Sequence, residues 1–183
     1  MDGRIARLTN TTSHFGTEFD SLSDVVAFGL APGILAFEWA LAPFGRLGWL
    51  AAFMFVACGA LRLARFNVQK GTQDPNYFRG LPIPVAACFI ASMVLFSSMW
   101  EEAFEGKPVI ILVTVFILAF LMVSTVTYYS FKKLDFKKRK PLKVLVSAIL
   151  LLVIIASDPK VMFFLVALSF VLSGPITTLY RFY

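Results

Sequence analysis

The chain has 183 residues, of which 58% are hydrophobic and 15% charged, with a formal net charge of +6. Soluble domains carry about a quarter charged residues, so this composition excludes an ordinary soluble globule and points to a lipid environment. The positive balance would suit nucleic acid, but in a membrane chain basic residues mark cytoplasmic connections and are read by location first.

The chain opens on charged and polar residues, without the apolar stretch that a secretory signal needs. Its first informative segment is Asp2-Gly3-Arg4-Ile5-Ala6-Arg7, followed after eight residues by Gly16, then by Asp20 and Asp24 at intervals of four. Residues four apart on a helix lie on one face, so Gly16, Asp20 and Asp24 form a single stripe. The helix runs straight into an apolar stretch, which sets both carboxylates at the membrane boundary. Two like charges stacked at low dielectric repel, and a divalent cation with a preference for oxygen, such as Mg²⁺, offsets that repulsion. Asp2 can supply a third ligand from the adjacent helix. Arg4 and Arg7 suit a substrate that brings its own phosphates, while Gly3, Ala6 and Gly16 leave room for close approach to the backbone. Carboxylates, a metal, arginines and small residues together describe phosphoryl transfer with metal clamping. A purely structural network of ion pairs is the competing reading.

Six apolar spans follow, over Val25–Leu41, Leu47–Leu63, Pro82–Trp100, Pro108–Tyr129, Leu142–Ala156 and Val161–Thr178. The expected fold is an all-α, polytopic bundle of about six transmembrane helices, a single integral-membrane domain over residues 1–183. With alternating crossings, the far side receives only Arg46, Lys107 and Lys160 of the 17 basic residues, together with Glu38, Glu101, Glu102, Glu105 and Asp158. The near side, which holds the Asp2–Asp24 segment, is therefore expected to be cytoplasmic. The basic run from Phe131 to Lys143 reads as a topogenic loop on an anionic leaflet rather than a nucleic-acid site.

Three polar residues close the second span. Arg62 and Arg65 share a face and Asn67 follows; an arginine there can hold a carboxylate or lipid phosphate, or act as a snorkelling anchor. Gly80-Leu-Pro-Ile-Pro84 is expected to shape the start of the third span, since proline suits a first helical turn. His14, the sole histidine, has no partner at ligand spacing, and Cys58 and Cys88 both fall within apolar spans, where a thiol behaves as a small hydrophobe.

The pattern Asp-Gly-x2-Ala-Arg-x8-Gly-x3-Asp-x3-Asp over Asp2–Asp24 resembles the signature of the CDP-alcohol phosphotransferases. The segments Phe15–Pro32, Arg62-Leu-Ala-Arg-Phe-Asn67 and Phe78-Arg-Gly-Leu-Pro-Ile-Pro84 look most like the phosphatidylserine synthase branch of that family. The family pattern begins with one more Asp, three residues before Asp2, and with preceding helices; the chain is expected to start partway through that motif. The resemblance implies transfer of the phosphatidyl group of CDP-diacylglycerol to the hydroxyl of L-serine, releasing CMP. It implies Mg²⁺ or Mn²⁺ on Asp2, Asp20 and Asp24, with Asp24 as general base. Gly3, Ala6, Arg7 and Gly16 would surround the CDP moiety. Arg62, Arg65 and Asn67 remain candidates for the acceptor or a phosphate. A homodimer in a bacterial-type inner membrane is implied as well. Glycerol 3-phosphate or inositol as acceptor, an archaeal-type lipid donor, and a cation-coupled transporter stay open as alternatives.

Overall fold

The computed structural model describes residues 14–69, 77–99, 108–129 and 158–182. The first helical element begins with α1 (His14–Val25) and continues through a π-helical stretch, Val26–Leu30, into α2 (Ala31–Ala36). A second π stretch, Phe37–Leu41, and a 3-10 turn, Ala42–Phe44, complete it. Both π stretches have a chemical cause. Pro32 and Pro43 each lack the amide that would bond four residues back, and their rings press on that carbonyl. The helix relaxes by shifting register, so that the amides of Ala31 and Ala42 bond back five residues, to the carbonyls of Val26 and Phe37.

The chain reverses at Gly45 into α3 (Arg46–Val68), whose second turn begins with Trp49 N–H donating to the Gly45 carbonyl at 3.1 Å. A short strand β1 (Tyr77–Arg79), α4 (Ile83–Ser97), α5 (Pro108–Val123), a second strand β2 (Thr127–Tyr129) and α6 (Pro159–Phe182) follow. Among the described residues, three helical segments are long and apolar enough to cross a bilayer: Glu18–Phe44, Arg46–Val68 and Pro159–Thr178. α4 and α5, at 15 and 16 residues, are apolar but shorter than the roughly 20 that a full perpendicular crossing takes. α5 is apolar all round: Ile111, Val115, Leu118, Ala119 and Met122 are buried, whereas Val109, Ile110, Val113, Ile117 and Phe120 are exposed. An outer face of that kind suits acyl chains. The chain is a membrane-embedded helical protein.

Two expectations from the sequence change here. The fourth span was expected to run to Tyr129, yet α5 stops at Val123 and Thr127–Tyr129 pair antiparallel with Tyr77–Arg79. Gly80 makes that corner possible. It adopts φ +78°, its N–H bonds the Val126 carbonyl at 2.8 Å, and any Cβ would collide with the Met122 carbonyl. Among the described residues, the otherwise all-α bundle thus carries one two-stranded pair. The fifth expected span, Leu142–Ala156, lies outside the described residues.

α6 runs antiparallel to α4. Lys160 Nζ donates to Ser98 Oγ at 3.2 Å, joining the start of α6 to the end of α4. At the opposite end, β2 packs against the last turns of α6, where Thr177 Oγ1 donates to the Thr127 carbonyl at 3.2 Å. Tyr128, wholly buried, stacks on Phe170 with ring centroids 5.7 Å apart. Its hydroxyl donates to the Val171 carbonyl at 3.3 Å. That carbonyl has lost its ordinary helical donor, because the residue four positions on is Pro175. The tyrosine therefore satisfies the bond that the proline removes. Gly174 leaves space for the phenol ring, which a Cβ there would strike.

Candidate active site

The site begins with the way α1 meets α3. Asn67 Nδ2 donates to Ser21 Oγ at 2.7 Å, while further along Gly29 lies against Val56 and Gly33 against the Ala52 carbonyl. These contacts fix an antiparallel register. Interpolated between Ser21–Asn67 and Gly29–Val56, Asp24 falls level with Arg62. The electrostatics agree: Asp24 is repelled by Asp20 one turn back and attracted by Arg62 across the helix pair.

The two aspartates differ in setting. Asp20 is exposed and Asp24 half-buried, on the one face that their spacing predicts. Among the described residues neither carboxylate makes a hydrogen bond or ion pair. Arg62 is buried, with 8% of its surface exposed, and its Nε has no hydrogen-bond partner. Its guanidinium lies over the Phe66 ring at 5.6 Å from the centroid. A positive charge therefore sits at the end of an apolar helix, steadied by a π face and by a carboxylate it does not hydrogen-bond.

The neighbouring polar residues are used differently. Arg65 Nη1 donates to the Val123 carbonyl at 3.1 Å, at the C-terminal end of α5, where helix carbonyls lack partners of their own. Asn67 is bonded to Ser21, as above. Both tie α3 to its neighbours. Gly16 is exposed in the first turn of α1, four residues before Asp20. Asp2, Gly3, Arg4, Ala6 and Arg7 lie outside the described residues.

Sequence reasoning missed Ser21 and Phe66. The signal for Phe66 was present, since it follows Arg62 by four residues and shares its helix face. Ser21 gave none, because its partner lies 46 residues away. Ile83 completes the frame. Its side chain reaches between Gly29 and Gly59, so the proline-flanked start of α4 wedges into the α1–α3 crossing.

The donor chemistry suits a divalent cation. Two carboxylates at i and i+4, otherwise unpartnered among the described residues, are hard oxygen ligands whose mutual repulsion a cation relieves. The described residues alone hold no cluster of three acidic, His or Cys groups, so a third ligand has to come from elsewhere.

A membrane bundle with acidic residues and a buried arginine at one end defines a class: an integral-membrane protein with a charged site at the lipid boundary. Comparison with known proteins makes this specific, for residues 1–107 match the CDP-alcohol phosphatidyltransferase family, and the chain belongs to it. It is 44% identical over 146 residues to the CDP-diacylglycerol–serine O-phosphatidyltransferase of Helicobacter pylori (strain ATCC 700392 / 26695), covering 80% of this chain and 62% of that protein. The Bacillus subtilis (strain 168) protein of the same name is 35% identical over 133 residues, covering 73% and 69%. The archaetidylserine synthase of Methanothermobacter thermautotrophicus is 42% identical over 132 residues, covering 70% and 52%. The chain thus spans about 62% of the length of the Helicobacter relative it matches.

Proposed function

We propose that this chain carries the phosphatidyl-transfer site of a CDP-diacylglycerol–serine O-phosphatidyltransferase. The observation that carries the reading is the Asp20–Asp24 stripe on α1 set against the buried Arg62 of α3, within the segment that matches the family. Support for serine as acceptor comes from the relatives, since the bacterial proteins and the archaeal one all name serine or its lipid product.

The chemistry follows from the residues. CDP-diacylglycerol reaches the site from the bilayer, with its headgroup at the α1–α3 end. Asp24 takes the proton of the serine hydroxyl as that oxygen bonds to the β-phosphorus. The bond from this phosphorus to the bridging oxygen breaks, and CMP leaves with its electron pair. Asp2, Asp20 and Asp24 would hold a divalent metal, Mg²⁺ or Mn²⁺. Bound there, it would neutralise the diphosphate and favour the ionised carboxylates. Gly3, Ala6, Arg7 and Gly16 would accommodate the CDP moiety. Holding the hydroxyl beside Asp24 raises the effective concentration of a weak nucleophile. Arg65 and Asn67 act through the frame, holding α3 against α5 and α1. We further propose a cytoplasmic orientation for this end, on the distribution of basic residues, and a homodimeric assembly in a bacterial-type inner membrane.

The test is CMP release from CDP-diacylglycerol by the full-length protein in detergent micelles, with L-serine, glycerol 3-phosphate and inositol compared. The reading expects serine-dependent release that EDTA abolishes and Mg²⁺ or Mn²⁺ restores. Release with another alcohol but not with serine would overturn the acceptor, and full activity in EDTA would overturn the metal.

A further inference from the structure

The three polar side chains at the end of α3 spend their hydrogen-bond donors unequally. Arg65 bonds a helix-terminal carbonyl and Asn67 bonds Ser21, so both have protein partners. Arg62 is more than nine-tenths buried, yet among the described residues its Nε has no hydrogen-bond partner, and the Phe66 ring beneath it provides a π face but no acceptor. A guanidinium presents five donors in a rigid planar fork, and a buried donor left unpaired is costly. A charge kept at such a depth normally faces a partner. The partner that fits this fork is a planar, two-oxygen anion brought in by a ligand.

Position decides which anion. The helix register sets Arg62 level with Asp24, the residue proposed to deprotonate the acceptor hydroxyl. Only two carbons separate the hydroxyl of serine from its carboxylate. An acceptor whose hydroxyl meets Asp24 therefore brings its carboxylate within reach of a side chain on the facing helix. Without that guanidinium the carboxylate would confront Asp20 and Asp24, and like charges would expel it. We propose that Arg62 is the receptor for the acceptor's carboxylate, and thereby the residue that makes the site select an amino-acid alcohol over a simple one. This deepens the acceptor assignment above and rests on it.

The experiment compares the full-length protein with Arg62→Lys and Arg62→Gln variants, using L-serine and ethanolamine, which is serine without its carboxylate. The KM for serine is expected to rise about a hundredfold in Arg62→Gln, the size typical of losing one side of a desolvated charged pair. The KM for CDP-diacylglycerol should stay within about twofold, because the donor's phosphates lie elsewhere on this assignment. The preference for serine over ethanolamine should collapse in the same variant. Arg62→Lys keeps the charge but loses the fork, and its serine KM should fall between the two. A rise in the KM for CDP-diacylglycerol with serine unaffected would assign the guanidinium to the donor's phosphates and overturn the proposal. Unchanged constants for both would overturn it as well.

A readout without turnover separates this proposal from the proposed reaction. Serine, but not ethanolamine, should raise the thermal unfolding temperature of the unsubstituted protein, and that shift should vanish in Arg62→Gln. If the shift appears as expected while no CMP is released, the reaction fails and the receptor stands. If CMP is released from serine but the shift and the KM are indifferent to Arg62, the receptor fails and the reaction stands.

Discussion

The α1–α3 end and the corner where β2 meets α6 both place polar groups inside an apolar bundle, and they treat them in opposite ways. At the corner every irregularity is repaired locally. Pro175 removes a helical donor and the Tyr128 hydroxyl replaces it; Gly80 and Gly174 leave room for a carbonyl and a ring that a side chain would displace. At the α1–α3 end, among the described residues, the repair is withheld. Asp20 and Asp24 stand one above the other and the buried Nε of Arg62 bonds nothing. In a medium where unsatisfied polar groups are expensive, that contrast is what the proposed division between groups kept for structure and groups kept for a ligand rests on.

The contrast is broken most severely at Asp24. Asp24→Asn removes the proposed base and a metal ligand together, and CMP release should fall by about a thousandfold or more, read as kcat with saturating serine and lipid. Activity within tenfold of the unsubstituted protein would return Asp24 to a structural role. At the corner the expectation reverses. Tyr128→Phe removes one hydroxyl and leaves the Val171 carbonyl without a donor, so stability in detergent should drop by about 1 kcal/mol while kcat changes little. Smaller still is the effect of Ser21→Ala. It deletes the acceptor of the Asn67 bond and should cost about 0.5 kcal/mol of stability, with a modest rise in both KM values as α1 and α3 lose register.

What could be read from the sequence follows the range of the interactions. The aspartate stripe was legible because helical spacing is local. The run of apolar residues from Pro108 onward hid the end of α5, although the β-branched and aromatic residues of Val123–Tyr129 suit a strand. Only the partner segment, Tyr77–Arg79, decides it, and that pairing joins residues about fifty apart in sequence. For the same reason Arg62, Arg65 and Asn67 looked alike in one short motif. Their different uses depend on Val123 and Ser21, at 58 and 46 residues' remove. The metal was suggested by the repulsion within the aspartate stripe and the acceptor by the family pattern, and both stand as proposals.

The most direct test of the division between structure and function is the thermal unfolding of Asp24→Asn measured beside its turnover. If Asp24 is held in place for chemistry, removing its charge relieves its desolvation and the repulsion from Asp20 against the lost attraction to Arg62, so the variant should unfold at the same temperature as the unsubstituted protein or higher while CMP release is lost. A variant that unfolds several degrees lower yet still releases CMP would show that the carboxylate serves the fold, and would contradict the account.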